Sequence, residues 1–251
     1  MSGRGVVHHR QGRGMSTIER KVTATRPEFS HDGYAWLLQR LLALGYDLYP
    51  ASMIGQVEGR AVFLRHDIDL HVAGAREMAA IEEQYAARST WYVLLDGHYN
   101  PLHPAAYGEL WALKQAGHTL GLHYDLQNIS SAAQMSRQID AFTLAFEWPA
   151  SLAMHRPHHG GADIFRGYRL NPHRDGIFYV SDSRREWTEP FISQLLAGEP
   201  EQAMLSTHHE HWCGPAGTAR FDHFDRHTSR TARTIVDEAL ADERDSWIRG
   251  R

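Results

Sequence analysis

One motif organises the chain: Val62-Phe63-Leu64-Arg65-His66-Asp67-Ile68-Asp69, an apolar run that ends in two carboxylates one residue apart. This composition predicts a β-strand over 61–66, and side chains alternate between the two faces of a strand. Asp67 and Asp69 are therefore predicted to share one face. Two desolvated carboxylates side by side repel each other, and a cation beside them removes that cost. We expect the functional site at this end of the strand.

Length and composition indicate a single globular domain, of a size common among α/β proteins, and not a fibrous, disulfide-rich or membrane protein. The 251 residues are enough to bury a full core, and the formal charge of −4, without a long basic run, disfavours a nucleic-acid partner. The single cysteine, Cys213, excludes an internal disulfide framework, suits a reducing compartment and is interpreted as a semi-buried residue without a catalytic role. No stretch is apolar for long enough to span a membrane.

The N-terminal residues are rich in Gly, Arg and His and lack the apolar middle of a signal peptide. We assign 1–20 to a disordered leader and 21–251 to a catalytic domain, and we expect a cytoplasmic location.

Hydrophobic periodicity after the leader alternates between helical and strand patterns. It predicts helices over 28–45, 71–88, 102–117, 131–147 and about 225–245, and strands over 61–66, 89–95, 118–123, 151–155, 177–181 and about 203–207. Strands that alternate with helices are typical of a parallel sheet or barrel with right-handed crossovers. We therefore predict a single α/β domain.

Polar residues stand at the ends of five predicted strands, and the carboxyl ends of parallel strands converge on the face where active sites are built. The residues concerned are Asp67 and Asp69, His123, His155 and Arg156, Asp182, and His208. His118 has the opposite parity to His123 at the entry of its strand, and we interpret it as structural. In the tract that follows strand 203–207, we expect only His208 to be functional and His209, Glu210 and His211 to be exposed.

Four motifs in order resemble the polysaccharide deacetylase superfamily (NodB homology, carbohydrate esterase family four). They are Arg65-His66-Asp67-Ile68-Asp69, Gly117-His118-Thr119-Leu120-Gly121-Leu122-His123-Tyr124-Asp125, His155-Arg156-Pro157 and Ser206-Thr207-His208. The likeness runs from about residue 60 to 212 and is closest to a branch found among surface-polysaccharide biosynthesis proteins. It implies a distorted (β/α)7 barrel.

The resemblance also implies a divalent metal, usually zinc, with Asp69 and His123 as ligands. The family's second motif has two histidines four positions apart, but Gln127 stands four beyond His123. A third ligand must come from elsewhere. His155 is our first choice, Asp125 is the alternative because it shares the parity of His123, and water is the remaining possibility.

The catalytic roles implied by the resemblance fall on four residues. Asp67 is the general base, Arg156 pairs with it and keeps it ionised, His208 protonates the departing amine, and Asp182 orients or tunes His208. A carboxylate base and a histidine acid on opposite sides of the reacting bond divide the proton transfers. The physical chemistry of these residue types is consistent with amide hydrolysis.

These observations predict a metal-dependent hydrolase that removes an acyl group, N-acetyl in our expectation, from an amino sugar or polysaccharide. The absence of a secretion signal favours a cytoplasmic step in the biosynthesis of O-antigen or another cell-surface glycan. The alternative, should metal ligation be incomplete, is a catalytically degenerate carbohydrate-binding or scaffold protein on the same fold.

Aromatic residues near these motifs are divided between core and site. Trp91, Tyr92 and Trp111 are predicted to lie in the core. Trp187 and Trp212 lie beyond strand ends, where core packing and stacking on a sugar remain alternatives. The loop His158-His159-Gly160-Gly161 is interpreted as either a substrate loop or a solvated one.

Overall fold

The computed structural model describes residues 26–147, 149, 151–155, 177–213 and 233. The predicted leader over 1–20, the loop over 158–161 and the helix over 225–245 lie outside these residues. Five helices are described: α1 (His31–Ala43), α2 (Ala75–Gln84), α3 (Pro104–Gln115), α4 (Ala132–Phe146) and α5 (Phe191–Ala197). Seven strands are described: β1 (Asp47–Pro50), β2 (Ala61–Ile68), β3 (Thr90–Leu94), β4 (Thr119–Asp125), β5 (Leu152–His155), β6 (Phe178–Ser181) and β7 (Gln202–Thr207).

The seven strands form one parallel sheet in the order β5-β4-β3-β2-β7-β6, with β1 paired to β2 beside this path. The sheet is curled into a half-barrel with helices around it, which confirms the predicted α/β class. β2 lies at the centre, paired with β7 along 61–66 on one edge. Its other edge is shared, because β1 pairs with 61–64 and β3 pairs with 65–68. Every residue of β2 is buried.

The structure differs from the predicted elements in three places. β1 was not predicted, because its four residues end in a proline and pair with only half of β2. α5 was not predicted either, although Ile192, Leu195 and Leu196 are buried at helical spacing. β2 and β4 both extend two residues further than expected, so that Asp67 and Asp125 lie within strands.

The helices pack their apolar faces on the outside of the sheet. Ser30 caps the start of α1, because its side-chain oxygen accepts a hydrogen bond from Gly33 N at 3.1 Å. The buried face of α1 (Tyr34, Leu37, Leu38, Leu41) joins the buried residues of α2 and the sheet in one core. None of the described helices combines the length and hydropathy needed to cross a membrane.

The inside of the half-barrel is filled below the site by Tyr92 and its neighbours. Gly121 on β4 makes room for this ring, because a Cβ atom at position 121 would lie 2.5 Å from Tyr92 Cε1 and 2.9 Å from the Ser151 carbonyl oxygen. The Tyr92 hydroxyl is hydrogen-bonded to Ser151 Oγ at 2.5 Å. Glycine is therefore required here by a close approach of side chain and backbone.

We expect Gly121→Ala to lower the free energy of unfolding by about 1–3 kcal/mol, since the added methyl group overpacks a filled interior. The matched control is Gly108→Ala in α3, where a Cβ atom would have no neighbour within 4 Å. This control is expected to gain up to about 1 kcal/mol from helix propensity. Urea unfolding of the two variants measures both values, and equal stabilities would contradict the packing account.

Candidate metal centre and catalytic groups

Asp67 lies on the inner face of β2, and the guanidinium of Arg65 holds both of its carboxylate oxygens. Arg65 Nε donates to Asp67 Oδ1 at 2.6 Å, and Arg65 Nη2 donates to Asp67 Oδ2 at 2.7 Å. Both residues are buried. Burial alone would raise the pKa of Asp67, but the positive charge of Arg65 lowers that pKa below its ordinary value. Asp67 is therefore an ionised carboxylate at neutral pH.

Asp69 follows the end of β2 and faces three imidazole rings that arrive from other strands. Its Oδ1 lies 3.5 Å from His123 Nε2 on β4 and 3.3 Å from His155 Nδ1 at the end of β5. Its Oδ2 lies 3.5 Å from His208 Nε2, directly after β7. Burial alone would raise the pKa of Asp69, but its interactions with these rings lower the pKa well below the ordinary value. Residues from four strand ends thus meet at one carboxylate.

Asp69, His123 and His155 form a group that fits a divalent cation. One ligand atom from each residue lies within 4.8 Å of the others. Two ligands of a tetrahedral zinc ion, each about 2.0–2.1 Å from the metal, are about 3.4 Å apart. The distances of 3.5 Å and 3.3 Å from Asp69 Oδ1 to the two rings agree with this spacing.

The hydrogen bonds of His123 also fit a metal ligand. His123 Nδ1 lies 2.9 Å from the Ala153 carbonyl oxygen, which can only accept, so this nitrogen carries a proton, and in the neutral ring Nε2 is then the atom that presents a lone pair. Among the residues that the structure describes, His123 Nε2 and Asp69 Oδ1 are both buried without a hydrogen-bond partner. Buried polar atoms are seldom left so, and a cation would satisfy both.

His208 is held by Asp182, which lies directly after β6. Asp182 Oδ1 accepts from His208 Nδ1 at 2.6 Å, and both oxygens lie 3.1 Å from the His208 backbone nitrogen. Trp212 Nε1 donates to Asp182 Oδ2 at 2.8 Å, and the ring of His211 stacks on that of His208 with 4.8 Å between centroids. Because Nδ1 is engaged by the carboxylate, Nε2 is the atom of His208 that faces Asp69.

The charges of His208 and Asp182 stabilise each other. Burial alone would lower the pKa of His208, but the Asp182 carboxylate raises that pKa well above its ordinary value. Burial alone would raise the pKa of Asp182, but His211 and His208 lower it. His208 therefore carries a proton at neutral pH, with Nε2–H directed toward the site.

Arg156, the predicted partner of Asp67, lies outside the described residues. Among the described residues, Arg65 makes a contact of that kind with Asp67, which was not predicted, although the alternation of side chains along a strand places Arg65 on the same face as Asp67. The alternative ligand Asp125 is not part of the three-residue group, and its Oδ1 accepts a hydrogen bond from Gln127 N at 2.9 Å.

The prediction that His209, Glu210 and His211 are exposed is wrong, because all three are buried. They form a short turn that packs against β2 and α2. The ring of His209 lies 5.8 Å from that of Trp91, measured between centroids. The turn is buried because it packs between β2 and α2 and not against solvent.

The predicted placement of aromatic residues holds in part. Trp91 and Tyr92 are buried in the core as expected, whereas Trp111 is 37% exposed on α3 and that prediction is wrong. Trp212 is fully buried and donates a hydrogen bond to Asp182, so of the two alternatives it packs in the core and does not stack on a sugar. Trp187 is half-buried and packs beside Trp212.

His118 and Cys213 have the structural roles that the sequence predicted. His118 is buried, and its Nδ1 accepts a hydrogen bond from Ser89 N at 3.2 Å. Cys213 is partly buried, and burial, with the charges of Glu210 and Glu77, raises the pKa of its thiol to about 12. A protonated thiol at neutral pH is not a nucleophile.

No protein-family model matches the chain, and no curated protein matches it either. Among solved structures, the chain is similar to the chitin deacetylase from the fungal pathogen Colletotrichum lindemuthianum, with 19% sequence identity and a TM-score of 0.43. The matched region covers 60% of this chain and 74% of that chain. A likeness at this level does not establish a family or an activity for this protein.

Asp182→Asn is expected to cost on the order of 3 kcal/mol of unfolding free energy, because it removes the buried carboxylate that pairs with His208 Nδ1 at 2.6 Å. The folded-state pKa of Asp182 is lowered, so its contribution is present above the unfolded pKa of about 3.9 and is lost as the pH falls through the folded value. The folded-state pKa of His208 is raised, so its contribution is complete below about 6.5 and is lost as the pH rises through the folded value.

The difference between wild type and Asp182→Asn is therefore expected to be largest between about pH 4 and pH 6.5 and smaller on both sides. Urea unfolding across this range measures it, with Asp140→Asn at an exposed position of α4 as the control. A difference that does not vary with pH would contradict the assigned ion pair.

Proposed function

We propose that the protein is a metal-dependent hydrolase that removes an acyl group, N-acetyl in our expectation, from an amino sugar or polysaccharide. The observation that carries this proposal is the group Asp69, His123 and His155, with an ionised carboxylate, Asp67, and a protonated imidazole, His208, beside it. The order of the four motifs supports the same reaction class. Hydrolysis of an amide requires a base and an acid at one site, and the lowered pKa of Asp67 and the raised pKa of His208 support these two roles.

Asp69, His123 and His155 would hold the cation, which we expect to be zinc. When bound, such an ion polarises an acyl carbonyl and lowers the pKa of a water molecule. Asp69 is the ligand at the centre of the group, since its Oδ1 faces ring nitrogens of both His123 and His155. His123 keeps the tautomer that a ligand needs, because Ala153 O holds the proton on Nδ1.

Asp67 and His208 would divide the proton transfers. Asp67 takes a proton from the attacking water, whose oxygen forms a bond to the acyl carbon. Asp67 Oδ2 accepts from Arg65 Nη2 and Ser206 Oγ, whereas Oδ1 accepts from Arg65 Nε and keeps a second lone pair that can accept the proton. His208 gives its Nε2 proton to the amine nitrogen as the carbon–nitrogen bond breaks. The products are a carboxylic acid and a free amino group.

Arg65 and Asp182 would position these two groups. Arg65 keeps Asp67 ionised, a role that the motif resemblance gives to Arg156. Asp182 fixes the ring of His208 and keeps it protonated. We place the reaction in the cytoplasmic biosynthesis of a cell-surface glycan such as O-antigen, on the basis of the motif resemblance.

Asp67→Asn is expected to lose nearly all turnover while metal binding remains, because the amide cannot act as a base but the ligand group is intact. Asp69→Asn is expected to lose both metal and turnover. Zinc titration by calorimetry, together with release of acetate from N-acetylated glucosamine oligomers, measures the two properties. General-base removal is expected to lower turnover by about 10²–10⁴-fold.

Asp125→Asn is the matched control, because Asp125 is also buried at a strand end and its amide oxygen can still accept from Gln127 N. It should keep both metal and turnover if His155 is the third ligand. Loss of metal in Asp125→Asn would reassign that ligand. A wild-type protein that binds no zinc and gains no stability from it would favour the carbohydrate-binding or scaffold alternative.

A further inference from the structure

His66 lies next to Asp67 in the chain, but its side chain points to the opposite, helix-covered face of the sheet. The ring is fully buried and stacks on Trp91 with 4.0 Å between centroids. Both ring nitrogens are engaged: Nε2 lies 2.7 Å from Glu82 Oε1, and Nδ1 lies 2.8 Å from Thr207 Oγ1. His66 therefore connects a carboxylate of α2 to a hydroxyl of β7.

Glu82 is anchored from several elements at once, so it is a fixed point in the core. Its Oε1 accepts from the Tyr34 hydroxyl of α1 at 2.5 Å, and its Oε2 accepts from Ser89 Oγ at 2.6 Å. The residue is fully buried. Burial alone would raise the pKa of Glu82, but its charge interaction and hydrogen bond with His66, together with the hydrogen bond from Ser89, lower that pKa. The carboxylate thus remains ionised within the core.

The positions of His66 and Thr207 connect this network to the site. The two residues pair directly in the register of β2 and β7, on the last rung that these strands share. Asp67 follows His66 in the chain, and His208 follows Thr207. The pair His66–Thr207 therefore directly precedes both of these site residues. Thr207 Oγ1 also lies within 3.3 Å of the Arg65 carbonyl oxygen, which ties the hydroxyl to the backbone of β2.

We infer that Glu82, His66 and Thr207 form a chain of hydrogen bonds, which we call the positioning relay. This relay holds His208, which precedes the turn His209–His211, at a fixed distance from Asp69. The separation that it maintains is 3.5 Å between His208 Nε2 and Asp69 Oδ2. Apolar side chains could fill the same space without the desolvation cost of a buried charge. Hydrogen bonds, unlike apolar contacts, are directional, so the polar residues fix the positions of β2 and β7 relative to each other. The catalytic consequence rests on the function proposed above, whereas the positioning of His208 does not.

The test removes one hydroxyl from the relay and compares it with the same change elsewhere. Thr207→Val keeps the shape of the side chain, and Thr207→Ser restores the hydroxyl. The matched control is Thr90→Val, because Thr90 is also a fully buried strand threonine, but its hydroxyl is bonded to Ser52 N and Thr119 Oγ1 and makes no bond to His66 or Glu82. Urea unfolding and zinc titration of all variants establish that each remains folded and binds metal.

Two measurements decide the outcome. Hydrogen exchange at the His208 backbone amide, which is hydrogen-bonded to Asp182, should be faster in Thr207→Val than in Thr90→Val and should return toward the wild-type rate in Thr207→Ser. Cleavage of an N-acetylated glucosamine oligomer should fall about 10–100-fold in Thr207→Val. Cleavage of 4-nitrophenyl acetate should change little, because its leaving group needs less protonation by His208.

Equal effects of Thr207→Val and Thr90→Val on exchange and on the ratio of amide to ester cleavage would overturn the relay while leaving the proposed hydrolase intact. A wild-type protein that cleaves neither substrate would overturn the proposed hydrolase. In that case the exchange rates still decide whether the relay positions His208.

Discussion

Two carboxylates that leave one face of a buried strand must both be compensated by positive charge, and the structure around β2 follows from this constraint. Asp67 is compensated within the protein by the bidentate guanidinium of Arg65. Asp69 is surrounded by imidazole nitrogens, and its Oδ1 is buried without a hydrogen-bond partner among the described residues. The two acids therefore have different chemistry. Asp67 is a paired, ionised carboxylate, and Asp69 is suited to a cation.

The alternation of side chains along β2 assigns the site and its support to opposite faces of the same strand. Arg65 and Asp67 point into the half-barrel, whereas His66 points toward the helices and contacts Glu82 and Thr207. A parallel sheet brings the carboxyl ends of its strands to one edge, so residues distant in sequence meet there. The inner face of β2 therefore contributes to a network of the proposed reacting groups. The outer face contributes to a second network, which links β2 to β7 and α2. This is why buried polar residues occur on both sides of the central sheet.

Much of this arrangement could be predicted from sequence, because β2, β3, β4, β5 and β7 have strong apolar patterns and the rule that sites lie at strand ends selects a small set of residues. Asp69, His123, His155 and His208 meet as that rule requires. What could not be predicted depends on tertiary contacts. β1 has no pattern of its own beyond its pairing with β2, and the burial of the turn His209–His211 depends on packing against α2. Arg65 could have been found from parity alone.

The claim on which the account depends is that Asp69, His123 and His155 hold a divalent cation. Anomalous diffraction at the zinc absorption edge, from crystals of the zinc-loaded protein, tests it most directly. The account predicts one strong anomalous peak with Asp69, His123 and His155 at ligand distances of about 2.0–2.2 Å. A peak bound by other residues, or zinc-loaded crystals without a peak between these three side chains, would contradict it.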